Sequence, residues 1–414
     1  MPGQPLKRVK IEGFTSIKSA EVDLDRLNIL VGANGAGKSN FIQALALLGQ
    51  IVEGQLGLYV GLNGGASALL SGGDTTSRIR LELDADPNSY EAVLVAAAND
   101  ELIFDNEVVY FHGPEYERPY SQSLGRGHKE TKLSGAGGIA HYVFELLEGC
   151  RVYHFHDTSS DAPVKRMTST ADNLGLRSDA GNLAAYLYRL RGSEDSAEQA
   201  AYRRIVGTIQ LVAPFFRDFV LQPEGNDSIR LRWQQQGTDG IFSANQMSDG
   251  TLRFVCLATL LLQPNLPSLV VLDEPELGLH PFAIVQLASL LRQASTRSQV
   301  LIATQSVTLM NRFEIGNLIV VERKDGASVF SRPDPATLEA WLAEYSLGEL
   351  WEKNLLGGRP AREEPGLAST IQPPKSYPSA IEEIYSPVTN LDDTSGRPAP
   401  NRGPARPRMW VPPS

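Results

Sequence analysis

Hydrophobic and polar positions alternate with a period of two from Leu6 to Val31: Val9, Ile11 and Phe14, then Val22 and Leu24, then the mostly apolar run Leu27 to Val31. This pattern predicts three short strands. Asn40 to Leu48 has helical spacing, and residues 53 to 75 are rich enough in glycine to read as a loop. Strand-like runs follow at Ser77 to Leu83, Tyr90 to Ala97, Glu101 to Phe111 and Tyr116 to Gln122. Their close spacing predicts an antiparallel meander, with Asn99-Asp100 as one of its turns. Segments 138 to 148, 180 to 191 and 195 to 212 have helical spacing, whereas Phe219 to Gln222 and Ser228 to Trp233 are extended. From Ser248 the order becomes helix to Leu262, strand Leu269 to Leu272, helix Phe282 to Gln293 and strand Val300 to Ala303, which is a parallel α/β arrangement. Leu318 to Glu322 and Ala327 to Ser331 then form a hairpin about Lys324-Asp325-Gly326, because Asp-Gly accepts the positive φ values of a tight turn.

The chemistry begins at the first predicted strand-to-helix junction. Gly32-Ala33-Asn34-Gly35-Ala36-Gly37-Lys38-Ser39 fits G-x-x-x-x-G-K-[ST] at every fixed position, with Asn40 opening the helix. Glycines let backbone N–H groups curl around an anion where the helix N-terminus also favours negative charge. The motif implies a bound nucleoside triphosphate, with Lys38 reaching its β- and γ-phosphates and the Ser39 hydroxyl on Mg²⁺.

A phosphate loop needs a carboxylate for the cation and a base for the attacking water. Leu269-Val270-Val271-Leu272-Asp273-Glu274 is an apolar strand ending in two acids, the form of a Walker B element. Asp273 is placed to hold Mg²⁺ through water and Glu274 to polarise the nucleophile. A third apolar strand, Val300 to Ala303, runs into Thr304-Gln305-Ser306. Gln305 can donate a hydrogen bond to phosphate but cannot titrate; capping of the next helix is its other reading.

The residues around these motifs narrow the class. Glu274-Pro275-Glu276-Leu277-Gly278-Leu279-His280-Pro281 resembles the E-P-E-x-x-L-H-P run of the ABC-type ATPases of the RecF, SMC and OLD-like group. Met247-Ser248-Asp249-Gly250-Thr251 stands where that group carries its signature, although Asp249 and Thr251 depart from the common L-S-G-G-Q. The resemblance implies that Ser248 and the backbone at Gly250 meet the γ-phosphate of an ATP held by an opposite subunit, and that Gln305 replaces a switch histidine. It also implies a mixed-sheet P-loop head with an antiparallel β-subdomain and a helical lobe: lobe one over about 1–155, a helical insert over about 156–215 and lobe two over about 216–357. The late residues Val320 to Arg323 and Tyr345 to Trp351 are similar to the stand-alone AAA-type ATPases of bacteria. Proteins of this kind work in DNA repair and defence, so the resemblance implies a homodimer or higher oligomer and a separate effector protein. No acidic nuclease-like cluster follows residue 330, unlike the OLD nucleases.

His154-Phe155-His156-Asp157 allows two readings from its residues: in an extended strand both imidazoles share a face, as metal ligation requires, or the run is structural. The resemblance offers a third, a Q-loop equivalent with His156, Asp157 or Ser159 near the γ-phosphate. It also brings the loop Phe14 to Lys18 near the adenine.

Composition adds limits. The 414 residues carry a net charge of −10, which opposes wholesale charge-driven binding of DNA while leaving a local basic patch open. Two cysteines without paired spacing and no segment near the roughly 18 apolar residues of a membrane span predict a cytoplasmic protein. Nearly half of the 26 prolines fall after Gly358, so composition predicts a disordered tail over 358–414, ending in Arg397, Arg402, Arg406 and Arg408 without an acid.

Overall fold

The computed structural model describes residues 5–72, 76–113, 118–225 and 227–357; the expected tail, 358–414, lies outside them. In chain order the first half contains Arg8–Phe14 (β1), Ile17–Asp23 (β2), Leu27–Val31 (β3), Lys38–Val52 (α1), Leu56–Leu62 (α2), Ala66–Leu69 (α3), Arg78–Ala85 (β4), Asn88–Ala96 (β5), Leu102–Phe111 (β6), Tyr120–Gly125 (β7), Ile139–Glu148 (α4) and Cys150–Tyr153 (β8). The second half contains Thr168–Ser169 (β9), Leu183–Gly192 (α5), Ser196–Val212 (α6), Phe216–Phe219 (β10), Ser228–Ile229 (β11), Arg232–Gln235 (β12), Ile241–Ser243 (β13), Asp249–Leu262 (α7) and Leu269–Asp273 (β14). It closes with Pro281–Ser295 (α8), Gln299–Thr304 (β15), Val307–Met310 (α9), Leu318–Lys324 (β16), Ala327–Ser331 (β17), Pro335–Leu342 (α10) and Leu347–Glu352 (α11).

Two six-stranded sheets organise these elements. One is the antiparallel meander β2-β1-β4-β5-β6-β7; the other, β17-β16-β3-β15-β14-β8, is parallel except for its terminal hairpin. The strands of the second sheet are apolar on both faces because each face meets its own core. Leu30, Val271, Leu301 and Ala303 pack with α1 and the meander. Ile29, Val31, Val270, Leu272, Val300 and Ile302 pack with α5, α6, α7 and α8. A strand buried on both sides reads as a continuous apolar run rather than an alternation. Each fully buried Leu, Ile or Val contributes about 1.5–3 kcal/mol, so this layer anchors both cores.

The parallel register decides where the chemistry sits. Val31 lies beside Thr304, and Asp273 beside Ala303. Tyr153 at the end of β8 pairs with Leu272. The phosphate loop, the two acids, Gln305 and the 154–157 segment therefore all leave the sheet at one edge, the carboxyl ends of its strands, where open α/β sheets bind ligands.

Several expectations change. Residues 53 to 75 do not form a plain loop: α2 and α3 bury Leu56, Val60, Ala66 and Leu69, an i, i+4 and i, i+3 spacing hidden among glycines. The fourth meander strand is Tyr120–Gly125 rather than Tyr116 to Gln122, part of which lies outside the described residues. The extended segment near 219 to 222 is displaced to β10, which begins directly after α6. Helix in the insert is confined to α5 and α6; residues 156–182 are mostly irregular, held by the buried Asn182, whose amide donates to the carbonyls of Asp172 and Gly175 and accepts from the N–H of Arg177. The expected turns stand, with φ of 64° and 59° at Asn99 and Asp100 and of 51° and 71° at Asp325 and Gly326.

Candidate functional site: a phosphate loop facing two acids

The phosphate loop joins β3 to α1. Gly37 has φ of 115°, in the left-handed region, and a side chain there would fall onto the Ser328 hydroxyl, so only glycine fits this step. No side chain caps α1 at this end, which leaves its first N–H groups directed at the loop. The Lys38 amine donates to the carbonyls of Gly32 (2.7 Å) and Ala33 (3.1 Å). Burial pushes its pKa down, while Glu274, Asp273 and Glu276 pull it back up. The lysine is thus within electrostatic reach of all three acids of the β14 end.

Asn34, Gly35, Gly37, Lys38, Ser39, Asn40, Glu274 and Gln305 line one cavity of about 110 Å³. Sequence-predicted residues from three separate segments meet there. Glu274 has φ of 41°, a strained value for a non-glycine residue, and its N–H donates to Ala303. The Gln305 amide donates to Glu274 Oε1 at 2.6 Å, so Gln305 faces Glu274 rather than capping α9; Ser306 does that, accepting from the Leu309 N–H. Asp273 Oδ1 is buried with no hydrogen-bond partner. Asp273 does not line the cavity of the phosphate loop; it lines a neighbouring one with His156, Arg253 and Pro275, and an orphaned carboxylate oxygen of this kind has the oxygen chemistry that Mg²⁺ prefers.

Ser248 and Gly250 do not line this cavity. Ser248 caps α7, its Oγ accepting from the Thr251 N–H at 3.3 Å and lying 2.7 Å from the Thr251 hydroxyl. At Gly250 a Cβ would lie 2.5 Å from the Gly278 carbonyl, so the start of α7 packs backbone to backbone against the turn after the acids. Two large apolar side chains flank that turn in solvent, Leu277 (52% exposed) and Phe282 (48%). His280 caps α8 by accepting from the Phe282 N–H, with Pro281 at the first helical position.

Arg253 has no part in the sequence reading, yet it ties three segments together. Its guanidinium donates to Phe155 (3.1 Å), to His156 (3.0 Å) and to Leu277. The available signal was an arginine inside α7, a helix otherwise apolar all round. The 154–157 segment is therefore held by its backbone, and no group of three or more His, Cys, Asp or Glu among the described residues could hold a metal ion. The metal reading of His154 and His156 fails because the strand ends at Tyr153 and the two imidazoles gather no third ligand. Burial pushes the His154 imidazole down, with His156 adding to this and Asp273 opposing it. Asp157 accepts from the Ser159 N–H.

The loop Phe14 to Lys18 reaches the start of α1. Asn40 donates to Ser16 Oγ (2.6 Å), which pairs with Ser328 Oγ (2.6 Å), so the β1–β2 turn and the β16–β17 hairpin close on one residue of the helix.

Comparison with known proteins agrees with this geometry. Residues 158–311 match the family described as "AAA domain, putative AbiEii toxin, Type IV TA system", and residues 5–55 match the AAA ATPase domain. No curated protein matches the sequence. Among solved structures, the chain is similar to an SMC head bound to the C-terminal winged-helix domain of ScpA, with 16% identity, 81% of this chain and 99% of that one covered and a TM-score of 0.50. A Pyrococcus furiosus SMC head with an extended coiled coil, bound to the C-terminal domain of ScpA, shares 14% identity over 82% of this chain and 99% of its own, with a TM-score of 0.48. No described helix is long and apolar enough to cross a membrane. The two family matches support an AAA-type ATPase, and the fold is that of an SMC-like P-loop head, in line with the resemblance read from the motifs.

Proposed function

We propose that the chain is an ATP-driven switch in which two heads close around two ATP molecules and separate on hydrolysis. The observation that carries this is the division of the site: Lys38, Ser39, Glu274 and Gln305 line one cavity at the carboxyl edge of the sheet, where β14 also ends in Asp273, while Ser248 and Gly250 stand outside that cavity at the start of α7. A second chain that supplies Ser248 and the first turn of its α7 completes the phosphate cage, and the exposed Leu277 and Phe282 give that contact apolar area.

Within each head the uncapped start of α1 and Lys38 bind the phosphates, and Ser39 and Asp273 would hold Mg²⁺. When bound, Mg²⁺ would supply charge neutralisation for phosphoryl transfer. Glu274 accepts a proton from the attacking water, and the Gln305 amide fixes the orientation of its carboxylate. The match to a family described by a toxin of a type IV toxin–antitoxin system supports a defence setting with a separate effector protein. DNA repair is the other setting of such heads, and DNA contact then needs a local basic surface on a chain of net charge −10.

One observation favours a second reading, a nucleotide-gated scaffold with negligible hydrolysis that restrains its effector. The Gln305 amide occupies one of the two carboxylate oxygens of Glu274, Oε1. Phosphate release decides between them. The switch predicts turnover that Glu274→Gln and Lys38→Ala each lower by about 100-fold or more; the scaffold predicts tight ATP binding with release that Glu274→Gln leaves unchanged.

A further inference from the structure

The acid two residues beyond the base has no role in the scheme above, and its placement is unusual. Glu276 is 8% exposed, at the carboxyl end of the parallel sheet. One oxygen accepts from the hydroxyl of Thr304, which is completely buried; the other oxygen is buried with no hydrogen-bond partner. A buried carboxylate with an orphan oxygen is destabilising relative to a satisfied group. An apolar residue of the same size would avoid that cost, so folding alone does not account for the acid.

The Thr304 hydroxyl shows what the carboxylate does. A hydroxyl has one proton, and here it points at Glu276, leaving its lone pairs for the Ser306 N–H at 2.9 Å. The rotor is thereby locked from both sides. The residue between these two anchors is Gln305, whose amide lies 2.6 Å from Glu274. Glu276, Thr304 and the Ser306 N–H thus brace the backbone on either side of the side chain that donates to the base.

We propose that Glu276 is a positioning residue for hydrolysis, acting through Thr304 to hold Gln305 on Glu274. This rests on the ATPase reading of the site. Displacing a catalytic group by about 1 Å can cost up to 100-fold in rate, so the brace acts on turnover rather than on nucleotide affinity. Burial pushes the Glu276 carboxyl up from its ordinary range while the Thr304 hydroxyl pulls it down, in keeping with an acid kept for its acceptor geometry.

The test is a double-mutant cycle on phosphate release by the full chain, with Glu274→Gln measured in parallel. Glu276→Ala and Thr304→Val are each expected to lower kcat by about tenfold with KM for ATP within about twofold. Adding Glu276→Ala to Gln305→Ala is expected to cost nothing further, because the route is already cut. Glu276→Gln and Thr304→Ser keep the acceptor and the hydroxyl and are expected to keep most of the rate, which also guards against variants that fail to fold. Multiplicative losses in the double variant, an unchanged kcat in Thr304→Val, or a Glu276→Gln as slow as Glu276→Ala would each overturn the proposal. If Glu274→Gln leaves release at the wild-type level, the ATPase reading itself fails and the proposal falls with it; if Glu274→Gln stops release while the cycle multiplies, only the positioning role fails.

Discussion

In the antiparallel sheet, Glu107 is fully buried and its two oxygens take four donors: Tyr90 (2.9 Å), Thr131 (2.5 Å), His128 (2.8 Å) and the Lys132 N–H (3.2 Å). At the carboxyl edge of the parallel sheet, Asp273 and Glu276 each keep one buried oxygen without a well-formed hydrogen bond. The contrast separates two uses of a carboxylate. Glu107 is satisfied by its own fold, strapping β6 to β5 and to the loop 128–132, so its work is structural. The β14 acids are under-satisfied by the fold and lie within electrostatic reach of Lys38, so their partners are to be sought among ligands and moving side chains.

The largest expected break in this contrast is Asp273→Asn. It keeps the shape of the side chain and is expected to lower Mg²⁺-dependent phosphate release by about 100-fold or more. The urea midpoint should move by no more than about 0.5 kcal/mol equivalent. Glu107→Gln should do the reverse. Its amide would face donors with a donor, costing about 3 kcal/mol in urea unfolding, while kcat of the folded protein stays at wild type. A larger stability loss in Asp273→Asn than in Glu107→Gln would remove the distinction.

Gly250→Ala sharpens the picture at the boundary of the site. The added methyl meets the Gly278 carbonyl, so a stability loss of about 1–3 kcal/mol is expected by thermal unfolding, together with weakened head association in gel filtration with ATP. The smallest effect concerns Cys150 and Cys256. Burial pushes both thiols up to about 12, so neither should react with a thiol reagent at pH 8 until denaturant is added, when both should.

Much of this was legible in the sequence because the relevant patterns are local. The phosphate loop, β14 with its acids and β15 with Gln305 each combine an apolar run with a polar terminus. A strand buried on both faces cannot be confused with a solvated one. What escaped was set by tertiary packing. The helices α2 and α3 were hidden by glycines that hide the spacing of Leu56, Val60, Ala66 and Leu69. Arg253 and Thr304 gained their roles only when distant segments met: the first from loops about 97 residues away in sequence, the second from an acid 28 residues back. The metal reading of His154 and His156 failed for the same reason, since a third ligand must come from elsewhere in the fold and none does among the described residues.

The central claim is that the unit of function is a pair of heads. Light scattering of Glu274→Gln at saturating ATP and Mg²⁺ tests it most directly, because blocking proton removal should trap the closed state. A mass of two chains that returns to one chain when Ser248 is replaced by arginine is the predicted result. A single-chain mass for Glu274→Gln under those conditions, with ATP binding confirmed, would contradict it.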